Sequence, residues 1–161
     1  VPSKEVFRFS IEEIRGVGVY VMGRRLYETM LYWETAVQDP SLRDAEREWA
    51  GLWNPLPKVV FSRTLTAVEG NARLASGGLA EEIGRLREEP GEGDIAIGGA
   101  VLAAEAAELG LIDEYRARVC PVLLGGGAPY FARNERRVDL ELVETRTFAS
   151  GVVFLRHRVV R

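Results

Sequence analysis

The stretch Val17-Gly18-Val19-Tyr20-Val21-Met22-Gly23-Arg24-Arg25-Leu26-Tyr27-Glu28 passes from a compact apolar run, through a glycine, into a charged and periodic segment. The run from Val17 to Met22 is short and mostly β-branched or aromatic, which predicts a buried strand. Beyond it, Leu26/Met30 and Tyr27/Leu31 stack at i,i+4, which predicts a helix over residues 24–32. A glycine at such a junction lets a ligand approach the backbone closely. The helix behind it presents free amides and the positive end of its dipole. Arg24 and Arg25 at a helix start are locally unfavourable unless something anionic lies opposite. Two guanidinium groups there suit phosphate oxygens.

Two further segments repeat this device. Val60-Phe61-Ser62-Arg63-Thr64 places two hydroxyls and a guanidinium after a strand, a set suited to a ribose-linked phosphate. Ile95-Ala96-Ile97-Gly98-Gly99-Ala100 runs from a strand through two glycines into a helix. In open α/β sheets ligands gather outside the carboxyl ends of the strands, so three such ends point to one elongated phosphorylated cofactor.

The remaining elements follow from local signals. Ser10-Ile11-Glu12-Glu13 matches a capping box and predicts a short helix starting there and stopping at Gly16. Residues 41–53 form a charged amphipathic helix closed by Asn54-Pro55, and Lys58–Phe61 a strand. Leu79, Ile83 and Leu86 mark a helix ending at Pro90-Gly91; Asp94–Ile97 is a strand and Ala100–Leu109 a helix with Gly110 at its end. Residues 115–124 read as a longer strand before Gly125-Gly126-Gly127, and residues 138–148 and 152–160 as a hairpin turning at Ser150-Gly151. Alternating strands and helices with antiparallel strands at the end predict one α/β domain over residues 1–161: three layers, α/β/α, with a mixed, mainly parallel sheet and a C-terminal antiparallel hairpin.

Composition narrows the function. The chain has 161 residues, 47% hydrophobic and 28% charged, with a formal net charge of −3. Such a balance argues against a nucleic-acid partner, which demands a basic surface. No apolar run approaches the roughly 20 residues of a membrane span, and the first residues carry no secretion signal. A lone cysteine, Cys120, predicts a reducing, cytoplasmic setting, and one histidine with one cysteine leaves no zinc constellation. Cys120, within a strand pattern, reads as core; His157 reads as surface; Gly125-Gly126-Gly127 reads equally as a flexible loop or a pocket edge. Gly16-Val17-Gly18 lacks the third glycine of a dinucleotide fingerprint and precedes its strand, and no Gly-Lys dipeptide exists for a phosphate loop.

Taken in order, Tyr20–Glu28, Lys58–Leu65, Asp94–Gly99, Gly110–Tyr115 and Pro121–Gly127 make the chain similar to the dihydrofolate reductase-like superfamily. The branch it resembles contains the reductase domain of riboflavin biosynthesis and stand-alone bacterial dihydrofolate reductase family proteins. The resemblance spans residues 5–158. It implies NADPH lying across the strand ends. Gly23, Arg24 and Arg25 would hold phosphate; Ser62, Arg63 and Thr64 would face the adenosine 2′-phosphate; Gly98, Gly99, Ala100, Val101 and Leu102 would cradle the pyrophosphate. It also implies a homodimer and an oxidoreductase passing hydride to a small carbonyl, imine or heterocycle. An amino-(phosphoribosylamino)uracil is the first expected substrate, a dihydrofolate-like pterin the second. Family members begin with a strand carrying a Ser-Leu-Asp-Gly-like turn, and this sequence starts downstream of it. No proton donor is identified, and only Arg133 lies near residues 125–130 to meet a substrate phosphate. The alternative function is a non-catalytic dimeric module that binds a nucleotide.

Overall fold

The computed structural model describes residues 3–161. Helix α1 (Lys4–Ile14) leads into strand β1 (Val17–Gly23), then helices α2 (Arg24–Met30), α3 (Tyr32–Ala36) and α4 (Asp44–Trp53). Strands β2 (Lys58–Phe61) and β3 (Ala72–Leu74), helix α5 (Leu79–Glu88), strand β4 (Asp94–Gly98) and helix α6 (Ala100–Glu108) follow. Strands β5 (Glu114–Val119), β6 (Leu140–Thr147) and β7 (Val153–Val159) close the chain. This is the expected three-layer α/β/α arrangement, mainly parallel, with an antiparallel C-terminal hairpin. Its hydrogen bonding falls into a four-stranded parallel group ordered β3-β2-β1-β4 and a three-stranded antiparallel group ordered β5-β7-β6.

Alternation along β1 explains the layers. Val19 and Val21 face α5 and α6, in a core with Val59, Leu79, Ile83 and Leu102. Tyr20 and Met22 face the other side, in a core with Ile14, Tyr27, Trp53 and Val60. Helix α1 joins both strand groups. Its Ile14 enters the Met22 core, while Val6 and Phe9 pack with Phe148 and Phe154 against the hairpin.

Several local expectations are corrected. Helix α1 begins at Lys4, not at Ser10, because the Ser3 side chain caps it by accepting from the Val6 amide at 3.3 Å. Ser10 lies mid-helix and its hydroxyl donates to the Val6 carbonyl, so its pattern with Glu13 is not a helix start. The helix does stop before Gly16, with Arg15 at its cap, and Gly16 keeps a negative φ. Strand β5 ends at Val119, five residues before Leu124. Pro121 has no amide for a ladder, and the Val122 amide closes a tight turn on the Cys120 carbonyl at 2.8 Å. Cys120 is therefore exposed, not core. Strand β3 was not expected: three residues centred on a charged arginine carry no apolar period.

Two buried ionic groups hold the parallel half together. Lys58 Nζ donates to the carbonyls of Trp53 at 2.6 Å, Leu56 at 2.8 Å and Asn54 at 3.3 Å, closing the end of α4 as β2 begins. Burial pulls its pKa down from 10.5 to about 8. Glu82, fully buried on α5, accepts from Arg73 of β3 at 2.8 Å, from the Ser76 amide at 2.9 Å and from Arg85 at 3.2 Å. The hydrogen bond from Arg73, supported by the Ser76 amide and both guanidinium charges, takes its pKa from 4.5 to about 2 against the cost of desolvation.

The Glu82 carboxylate thus contributes stability above its ordinary pKa of 4.5 that is lost as pH falls toward about 2. Urea unfolding across that range should show an acid-dependent loss in the wild type that Glu82→Gln lacks. At neutral pH, Glu82→Ala should cost about 3 kcal/mol, the size of breaking a buried hydrogen-bonded pair.

Candidate functional site

Parallel pairing sets the three strand ends side by side. Met22 of β1 lies opposite Val60 of β2 and opposite Gly98 of β4, and Gly23 lies opposite Phe61. The turns Gly23-Arg24-Arg25, Ser62-Arg63-Thr64 and Gly98-Gly99-Ala100 therefore share one edge of the sheet, with β1 in the middle. Each of the expected residue groups is brought to this edge.

The edge is built from helix starts without side-chain caps. Gly23 caps α2 with φ −88° and ψ 177°, and Gly99 caps α6 with φ 97° and ψ 127°; neither end has a side chain bonded to its amides. A side-chain carbon added at Gly23 or Gly99 would meet nothing within 4 Å, so the approach to both turns is open. Gly98 differs: a carbon there would lie 2.6 Å from Leu26 Cδ2 and 2.7 Å from the Tyr20 hydroxyl. At Gly98 the missing side chain makes room for the protein's own residues.

The polar groups at the edge divide into engaged and free. Ser62 Oγ is turned into its own loop, accepting from the amides of Thr64 at 3.2 Å and Leu65 at 3.0 Å, and it lies 3.4 Å from Thr64 Oγ1. Arg24 pairs along its helix with both oxygens of Glu28 at 3.2 Å. Arg25 and Arg63 are exposed, and their guanidinium groups make no ion pair or hydrogen bond with the described residues, although the Arg25 carbonyl accepts from the Thr29 hydroxyl at 2.9 Å. Val101 is exposed at the start of α6, while the Leu102 side chain is buried in the core, leaving its amide as the group it can offer.

A cavity of about 380 Å³ lies elsewhere, at the amino ends of β1 and β2, between Gly18, Pro57, Leu86 and the Pro90–Gly93 loop. Its position opposite the aligned strand ends separates it from the edge. Gly125, Gly126 and Gly127 sit in an exposed loop, with positive φ at Gly125 and Gly127. His157 is half-buried on β7, opposite Tyr115 and Leu142.

Sequence reasoning passed over two titratable groups near this region. Glu13, on the last turn of α1, pairs with Arg118 and lies 3.8 Å from Arg116. Its pKa is raised because burial outweighs both guanidinium charges. Tyr20, two residues before Met22, looked like one more apolar strand position. Neither carries a local pattern; their proximity exists only once α1 is laid against β1 and β5.

An α/β chain with three aligned strand ends, two of them glycine-led helix starts, has a reductase-like fold. The chain belongs to the RibD C-terminal domain family, whose model matches residues 3–154. The uncharacterised Bacillus subtilis protein YyaP is 35% identical over 137 residues, which cover 85% of this chain and 71% of that protein. A Shewanella protein described as a candidate riboflavin biosynthesis protein has the same fold, with a TM-score of 0.73 at 22% identity over 100% of this chain and 85% of its own. A pyrimidine reductase-like protein from Corynebacterium diphtheriae superposes with a TM-score of 0.61 at 15% identity, over 99% of this chain and 83% of its own.

The two glycines that end β1 and β4 should respond differently to alanine. Gly98→Ala should lose about 1–3 kcal/mol in denaturant unfolding, the usual cost of overpacking. Gly23→Ala should leave stability nearly unchanged, since its backbone is ordinary and the space is empty.

Proposed function

We propose that this chain is a single-domain NADPH-dependent reductase acting on a small heterocyclic or carbonyl substrate. The observation that carries this reading is the pair Arg25 and Arg63. Neither guanidinium group has a partner among the described residues, and both stand on the edge where Gly23 and Gly99 open two helix starts. Unbalanced cations beside free helix amides form an environment that favours an extended polyanion. The group fits the residues present: the amides at Gly99, Ala100, Val101 and Leu102 suit a pyrophosphate, and Gly23 with Arg24 and Arg25 suits a second phosphate contact. Arg63 with Ser62 and Thr64 suits the 2′-phosphate that distinguishes NADPH from NADH. NADPH, when bound, supplies the hydride. The chain's own contribution is to bind, to orient and to exclude water.

Family membership and the riboflavin-related relative favour an amino-(phosphoribosylamino)uracil as substrate, with a pterin second. Leu123 is fully exposed, Leu124 is 82% exposed, and Val122, Tyr130, Phe131 and Leu142 are exposed as well. Apolar surface of this extent supports pairing into a homodimer.

Titration with NADPH and NADH, followed by nucleotide fluorescence, tests the reading. NADPH should bind more tightly, and Arg63→Ala should weaken NADPH about tenfold or more, the size of a lost charge-assisted bond, while leaving NADH nearly unaffected. Failure of both nucleotides to bind at millimolar concentration would sink the proposal. Light scattering should give twice the chain mass, and Leu123→Asp with Leu124→Asp should return a monomer.

A further inference from the structure

Tyr20 lies at the middle of β1, its ring edge-on to Trp53 with centroids 5.1 Å apart. Its pKa is raised, chiefly by burial; the Arg118 charge opposes this and the Glu13 carboxylate adds to it. The hydroxyl reaches along the sheet to β4, where a methyl group on Gly98 would lie 2.7 Å from its oxygen. Gly98 directly precedes Gly99, the residue that opens α6 on the candidate nucleotide edge.

A tyrosine so placed ordinarily donates its O–H to a protein acceptor. Tyr27 and Tyr130 each have a hydrogen-bond partner: Tyr130 donates to the Arg116 carbonyl at 2.7 Å, whereas the Tyr27 oxygen accepts from the Glu69 amide at 2.7 Å. The Tyr20 hydroxyl has none among the described residues. Nor is it sealed in, since the enclosed side-chain polar atoms without partners are Trp49 Nε1 and Asn54 Oδ1. Its ring is held by Trp53, and its tip lies beside Gly98 without a protein partner among the described residues.

We propose that the Tyr20 phenol donates a hydrogen bond to a ring carbonyl or imine nitrogen of the substrate, beside Gly98. This rests on the reductase reading and adds the donor that reading lacked. Hydride addition to a C=O or C=N bond builds negative charge on the heteroatom, and a fixed donor aimed at that atom stabilises it. The ring is oriented by Trp53, so little freedom is lost when the bond forms. The proton stays on the tyrosine oxygen in this role, and the proton that completes the reduced heteroatom comes from solvent water; Tyr20 is a catalytic residue because it touches the reacting group.

Tyr20→Phe keeps the ring against Trp53 and removes only the hydroxyl. The variant should melt as the wild type does and bind NADPH equally well. Its affinity for a diaminouracil or for pterin, used as probes, should fall about tenfold, the weight of one hydrogen bond. In the wild type, the alkaline absorbance transition of Tyr20, taken as the difference from the variant, should move to higher pH when the probe is present, since a donated bond favours the neutral phenol. Equal probe affinities, no probe binding to the wild type, or a clear loss of melting temperature in the variant would each overturn the assignment. If neither protein binds NADPH, the reductase reading falls by itself, and the probe affinities still decide the role of Tyr20.

Discussion

The register that sets Met22 between Val60 and Gly98 is the constraint on which the rest of the site depends. Both faces of this sheet are covered, so a slip of one residue would exchange Val21 for Met22 and drive each into the wrong core. The hydrophobic effect therefore holds the strands at one height, although it acts nowhere near the edge. The consequence is chemical: three turns, each polar or glycine-led, finish together. Any two of them out of step would leave an arginine and a helix start too far apart to share one ligand.

The antiparallel half is tied on by a different force. Helix α1 buries Phe9 between Phe148 and Phe154, with Arg146 stacked over its ring at 4.4 Å. Its Glu13 then meets Arg116 and Arg118 of β5, while Arg116 reaches Asp94 of β4 at 3.3 Å. Strands β4 and β5 are not hydrogen-bonded to each other, so side chains carry the junction there. Burial of Glu13 costs enough to raise its pKa even beside two guanidinium groups, which marks this junction as a place where packing and charge are in tension.

The arginines show how one residue type divides by context. Arg73, Arg85, Arg116, Arg118 and Arg156 are matched to carboxylates and serve the fold. Arg25 and Arg63 are matched to nothing in the described chain, and they stand together on the edge. The same contrast applies to tyrosines: Tyr27 meets the Glu69 amide and Tyr130 the Arg116 carbonyl of β5, while the Tyr20 hydroxyl has no partner among the described residues. Groups that the fold does not use are those left available to a ligand.

Much of this was legible locally. Short apolar runs such as Lys58–Phe61, and glycines at their ends, specify strands and turns by themselves, because burial period and backbone freedom are properties of a few adjacent residues. Failures came where a longer-range partner decided the outcome. Ser10 imitates a helix cap, but Ser3 captures the Val6 amide and the helix runs through. Strand β3 has no apolar pattern and exists because Arg73 finds Glu82 and the backbone finds β2. The sequence alone determined the α/β class, the mainly parallel order and the residues that could face a phosphate. Only the tertiary structure decided which arginines remain unpaired, and that Tyr20 lies over Gly98, because both depend on which distant side chains the packing brings within reach.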